Sequence, residues 1–301
     1  WGSFIVTDSF ETVLIKYLNL SGGSESYING ISSTGQMTIN NSDVIIENSS
    51  FFNSNSEDAL NIKNGKILIS NTIFKNNYSD AFDGDKVNGI IKNSYFNNNK
   101  GDSIDLSFSK VSSENNLIIN SSDKAISAGE RTNLLVINNL ISKNEIGLAC
   151  KDSSICFITN TNFIDNKQAL SAYKKKSEYE YGGKIDIQNS ILKYNFSNFF
   201  TDFFSEINFN PNNIISINDL KIFSYKFIKN SDRDKYNLFT YKDFLEMYEN
   251  NKDKFSKIIN FDLIDPNISS DDYNNKKILS YYFSPMQFEE DLYSPANFFP
   301  L

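Results

Sequence analysis

Histidine is absent from all 301 residues, arginine occurs only at Arg131 and Arg233, and there are two cysteines, one tryptophan and five prolines. Without histidine the chain cannot run a Ser-His-Asp or Cys-His dyad or build an HExxH zinc site. It also has no side chain that titrates near neutrality unperturbed. Any chemistry must come from carboxylates, lysine, tyrosine, one of the arginines or a hard cation. The net charge is −8 and the longest basic run is Lys174-Lys175-Lys176, which is a poor match to the clustered cations that nucleic-acid phosphates require. No run of about eighteen apolar residues is present, so no membrane span is expected. Two cysteines do not make a disulfide framework. For Cys150 and Cys156, two buried thiols are favoured over a single bridge. The chain begins at Trp1 with no initiator Met and no signal peptide, which leads us to expect a processed product or part of a longer precursor.

What the sequence does have is a repeat. The pattern apolar-apolar-x-Asn-x-x-apolar aligns Asn48, Asn71, Asn93, Asn115, Asn138, Asn160 and Asn189, at spacings of 23, 22, 22, 23, 22 and 29. Three residues after each stands a bulky side chain: Phe51, Phe74, Phe96, Ile118, Ile141, Phe163 and Leu192. Two further columns keep the register, Leu60-Phe82-Ile104-Ile126-Leu148-Leu170 and the smaller Ile62-Gly84-Leu106-Ala128-Cys150-Ala172. Within repeats, apolar and polar residues alternate, as in Ile185-Asp186-Ile187-Gln188, which is strand periodicity. The LxxLxLxxN signature of leucine-rich repeats is missing. Short strands with Asn at a turn fit an all-β parallel β-helix with coils of about 22 residues, each coil stacking on the last. The aligned asparagines are expected to form a side-chain amide ladder inside the turn, about 4.8 Å per step.

Three boundary features follow. Phe4-Ile5-Val6 and Val13-Leu14-Ile15 read as strands of early coils with no polar cap, so a cap is expected upstream, in another domain of the same precursor. The long interval before Asn189 holds an outgrowth, residues 173–183. After Asn195 the repeat fades into Phe- and Tyr-rich sequence. The solenoid is therefore assigned to residues 1–204 and a C-terminal cap or flanking segment to 205–301. Thr240 as N-cap predicts a helix near 241–260.

The asparagine and apolar columns, with coil-start phrases such as Ser79-Asp80-Ala81-Phe82-Asp83-Gly84-Asp85 and Gly101-Asp102-Ser103-Ile104-Asp105-Leu106, resemble those of right-handed parallel β-helix repeat proteins, the pectin-lyase-like superfold. Some coils of this kind sit beside spore-coat-H-type kinase domains in longer bacterial chains. The resemblance implies the fold well and an activity poorly, because the superfold carries lyases, hydrolases, epimerases, adhesins and non-catalytic surface proteins.

An acidic patch is the first candidate site. Asp58, Asp80 and Asp102 recur every 22 residues, Asp83 and Asp105 repeat that stack beneath Asn61, and Asp85 faces the same side as Asp83. Carboxylates so close must be protonated, hydrogen-bonded or bridged by a cation. Ca²⁺, a hard ion that takes oxygen ligands, would relieve the clash. The calcium-dependent pectate lyases of the superfold are similar in using stacked aspartates. That resemblance implies Asp80, Asp83, Asp102 and Asp105 as metal ligands, to which Asp85 is added as a candidate from its place on the same side, and Lys63 or Lys124 as the base that takes a sugar proton. No motif fixes the lysine. Asp58, Asp80 and Asp102 also suit coil corners, where carboxylates accept backbone N–H bonds as Asx-turns. Lys63 and Lys124 equally suit solvated partners of the acids. The polygalacturonase pattern needs a His-Gly that is absent, and the Asp83–Asp105 pair has no second feature to support hydrolysis.

The outgrowth is the second candidate. Tyr173, Lys174, Lys175, Lys176, Tyr179 and Tyr181 combine aromatic faces for sugars with cations for carboxylated or sulfated glycans. A solvated loop is the alternative, and its distance of three or more coils from Asp105 predicts a separate site. The expected function is a surface or extracellular protein that binds, or presents to, polysaccharide without catalysis. The alternative is a cation-dependent lyase or epimerase acting on uronate-containing glycans.

Overall fold

Alternating short strands separated by left-handed turns can only stack coil on coil. In the computed structural model, which describes residues 1–209 and the strands Ile214–Ile217 and Ile222–Ser224, they do so. A coil carries three strands, for example Ile104–Ser107, Lys110–Glu114 and Leu117–Ile119, and each pairs in parallel with its counterpart in the next coil. In Asp58–Ser70 and Asp80–Lys92 the first and second faces run as one strand around the corner. The third face is a nine-stranded sheet. One antiparallel pair, Ser26–Ile28 with Ile31–Ser33, departs from the pattern.

The apolar columns are the core. Phe51, Phe74, Phe96, Ile118, Ile141, Phe163 and Leu192 are all 0% exposed. Phe51 stacks on Phe74 at 5.2 Å, and Phe74 on Phe96 at 4.7 Å between centroids. The two columns from Leu60 and Ile62 line the opposite wall and are likewise buried. Cys150 and Cys156 lie in this core as free thiols.

The aligned asparagines sit at turns, and a ladder of buried hydrogen bonds runs beside them. All seven, from Asn48 to Asn189, adopt φ between 47° and 57°, the left-handed region that asparagine tolerates better than other side chains. The ladder belongs to the residue that follows each. Thr72 N–H donates to Ser94 Oγ (3.2 Å), Ser94 N–H to Asn116 Oδ1 (2.9 Å), Asn116 N–H to Asn139 Oδ1 (2.8 Å) and Asn139 N–H to Thr161 Oγ1 (3.3 Å). The residue after the left-handed one points into the coil and satisfies the buried amides. Amide ladders do occur at another corner, through Asn77–Asn99 and Asn144–Asn166–Asn195.

Stacking also runs past the expected boundary at residue 204. Glu206–Phe209, Ile214–Ile217 and Ile222–Ser224 pair with Lys184–Gln188, Ser190–Lys193 and Ser197–Thr201. The helix expected near 241–260 lies outside the described residues. Among the described residues no helix is long and apolar enough to cross a membrane.

Candidate functional site

Strand alternation on the first face sends Leu60, Phe82, Ile104, Ile126, Leu148 and Leu170 inward, so the residue after each points out. Register pairs these outward residues into one column: Asn61, Asp83, Asp105, Ser127, Ala149, Ser171 and Phe200. Although they face outward, Asn61, Ser127 and Ala149 are 0% exposed. The column is therefore recessed between two walls, and its Ser171–Phe200 end opens into a pocket. One wall is the coil corner that carries Asp58, Asp80, Asp102 and Lys124. The other is the turn after the strand, with Glu130, Asp152 and the outgrowth.

At the corner, each aspartate holds the neighbouring coil. Asp102 N–H donates to Asp80 Oδ1 at 2.7 Å, Lys124 N–H donates to Asp102 Oδ1 at 2.8 Å, and Thr34 Oγ1 donates to Asp58 Oδ2 at 2.6 Å. The amides accepted by Asp80 and Asp102 belong to the next coil and not to the aspartate's own turn, so these are inter-coil clamps where local Asx-turns were expected. One carboxylate oxygen from each of Asp80, Asp102 and Asp105 lies within 4.8 Å of the other two. Of the five ligands expected from the sequence, these three converge. Asp83 lies in the column, where its Oδ2 accepts from Asn61 Nδ2. Asp85 stands further out beside Lys63, 3.7 Å from its ammonium.

Crowding and burial show in the acid strengths. Burial, followed by the neighbouring Asp102 charge, pushes the Asp80 carboxyl up to about 8. Asp58, Asp83 and Asp102 are also pushed up, in each case chiefly by desolvation, and Asp105 adds repulsion to all three. Two further polar atoms in the column, Asn61 Oδ1 and Ser127 Oγ, are buried without a hydrogen-bond partner. A triad of carboxylates flanked by unpaired neutral oxygens is a donor set that fits a hard divalent cation such as Ca²⁺.

The lysines stand as partners of the acids. Lys124 Nζ lies 3.3 Å from Asp102 Oδ1 and 2.5 Å from Asp123 Oδ2. Burial works against its charge, but these two carboxylates outweigh burial and hold the ammonium well above its ordinary range.

The outgrowth is not a free loop. Asp152 Oδ1 accepts the N–H groups of Lys175 (2.6 Å) and Lys176 (2.8 Å), and Ser153 N–H donates to the carbonyls of Tyr181 and Gly182. The Arg131 guanidinium lies 5.8 Å from the centroid of the Tyr179 ring. Lys176 reaches back to pair with Glu130, whose charge is among those that raise Asp85. The loop thus folds back toward the acidic end as far as Glu130, which follows Gly129, the register partner of Ser107. Tyr173 is in register with Lys151, and burial raises its phenol against the opposing charge of Lys124. Sequence reasoning missed Ser127, Glu130, Asp152, Phe196 and Phe200. Ser127 was recoverable from the 22-residue register after Asp105, whereas Phe200 is displaced by the long insertion.

A parallel β-solenoid with a recessed outward column on one face defines the class. Residues 81–214, somewhat under half of the chain, match the family model described as right handed beta helix region. The crystal structure of pectate lyase Pel9A is similar to this chain, with 10% identity and a TM-score of 0.42, and the likeness covers 68% of each chain. No curated protein matches the sequence.

Proposed function

We propose that the chain is a surface or extracellular β-helix protein whose first-face groove binds polysaccharide without cleaving it. The observation that carries this reading is one outward column that runs in register from an acidic end at Asp83–Asp105 to an aromatic end at Phe200, beside Tyr173. A glycan laid along the axis would meet carboxyl groups at one end and rings with the Ser171 hydroxyl at the other. Ca²⁺ held by Asp80, Asp102 and Asp105, with Asp83 beside them, would neutralise the acidic end and bridge it to glycan oxygens.

A lyase or epimerase would need an unprotonated lysine next to that cation. Lys124 is held as an ammonium by two carboxylates and Lys63 faces Asp85, so binding is the better-supported role. Calorimetry with a polyuronate is expected to show binding that EDTA weakens, with no rise in ultraviolet absorbance from unsaturated uronate. A rise that is abolished by Lys124→Ala would overturn the non-catalytic reading. Absence of any glycan binding, with or without Ca²⁺, would overturn the groove reading itself.

A further inference from the structure

The far end of the groove contains a pocket of about 540 Å³ whose walls include Tyr173, Phe196, Phe200, Gln168 and Ser171. Tyr173 and Phe200 meet edge to face at 6.4 Å. Phe200 is 40% exposed and Phe196 63%, so both rings are accessible from solvent. The charges around this pocket are already matched to one another. Asp202 accepts the N–H groups of Lys174 (2.7 Å) and Phe204 (3.0 Å), Glu145 pairs with Lys167, and the Lys174 ammonium lies 4.6 Å from the centroid of the Phe204 ring. An anionic ligand would have to separate lysines from these partners, and a cationic one would have to take the carboxylates from theirs. An uncharged ring with one apolar face and a rim of hydroxyls does neither. Its C–H face can lie on the aromatic platform while Gln168 and Ser171 take its hydroxyls.

We propose that this pocket is a subsite for an uncharged pyranose unit, distinct in chemistry from the cation-assisted acidic end, so that the glycan recognised by the groove carries neutral sugars as well as charged ones. The proposal rests on the groove reading above and extends it. Ser171 and Phe200 belong to the same outward column that carries Asp83 and Asp105, so both ends lie along one line.

The test uses the full chain and calorimetry against neutral hexasaccharides of glucose, galactose and mannose, alongside hexagalacturonate. At least one neutral oligomer is expected to bind with affinity unchanged by EDTA. Phe200→Ala and, independently, Phe196→Ala should weaken it by about tenfold, while Phe200→Tyr preserves it. Thermal melts check that these exposed-site variants fold. Neutral binding that is indifferent to both alanine variants would overturn the subsite and leave the groove standing. Binding of hexagalacturonate alone would overturn the neutral assignment. Binding of no oligomer would overturn both the subsite and the reading it rests on.

Discussion

Asparagine occupies the turn of every aligned repeat because the chain there adopts φ near +50°, a conformation that costs an ordinary L-residue about 1–2 kcal/mol. The turn position was readable from sequence. The residue that carries the ladder was not, because an amide suits both a left-handed backbone and a buried ladder. The two roles separate by mutation. Asn93→Gly should leave the urea midpoint nearly unchanged, whereas Asn93→Ala should lose about 1 kcal/mol. Asn116→Ala, which leaves the buried Ser94 N–H without its acceptor, should cost about 1–3 kcal/mol. Equal losses at Asn93 and Asn116 would refute the division of labour between turn and ladder.

For strands and turns, the apolar columns fixed register in advance, since a one-residue slip would expose every core side chain. Their period identified the coils. Two elements escaped this logic. The antiparallel pair Ser26–Ile28 and Ile31–Ser33 is joined by Asn29-Gly30, with φ of 51° and 83°, the dipeptide that favours a tight hairpin. That signal was present but lies outside the repeat. The fused strand Asp80–Lys92 depends on Gly89, where an added Cβ would fall 1.8 Å from the Ile67 carbonyl oxygen. The coils approach too closely there for any side chain. Gly89→Ala is expected to destabilise by about 1–3 kcal/mol, read as a drop in the denaturation midpoint. An unchanged midpoint would mean that the two coils are not in van der Waals contact at this position. Of the candidate site, the 22-residue spacing gave the acidic stack. It did not show that the outgrowth folds back on Glu130, because spacing along the axis says nothing about where an inserted loop lies.

On the scale of the whole molecule, stacking creates a problem that single coils lack. Asp58, Asp80, Asp83, Asp102 and Asp105 come from three successive coils and gather at the corner and along the outward column, with Lys124 and Asp123 beside Asp102 and the Lys63–Asp85 pair close by. Asp58, Asp80, Asp83 and Asp102, made weaker acids chiefly by burial, bind more protons when folded than when unfolded, where an aspartate titrates near 3.9. Their contribution to stability is thus fully present below about pH 4 and lost as pH rises through the folded values, about 8 for Asp80. Lys124 works over another window, because a raised ammonium stabilises until pH exceeds its ordinary value, well above this range. Glu130, lowered through its hydrogen bonds to Lys176 and Ser107 even though burial opposes it, affects stability only at acid pH. In EDTA, Tm should therefore fall between pH 5 and pH 8.5, each kcal/mol lost lowering it by roughly 2–4 °C. Millimolar Ca²⁺ should restore Tm at pH 8.5 and do little at pH 5, where protons compete for the same oxygens. Asp80→Asn with Asp105→Asn should flatten the pH profile and abolish the calcium response together. A Tm that rises with pH in EDTA would mean that these carboxylates are solvated in the folded protein. A pH-dependent Tm that Ca²⁺ does not shift would leave the buried acids in place and remove the cation from the groove.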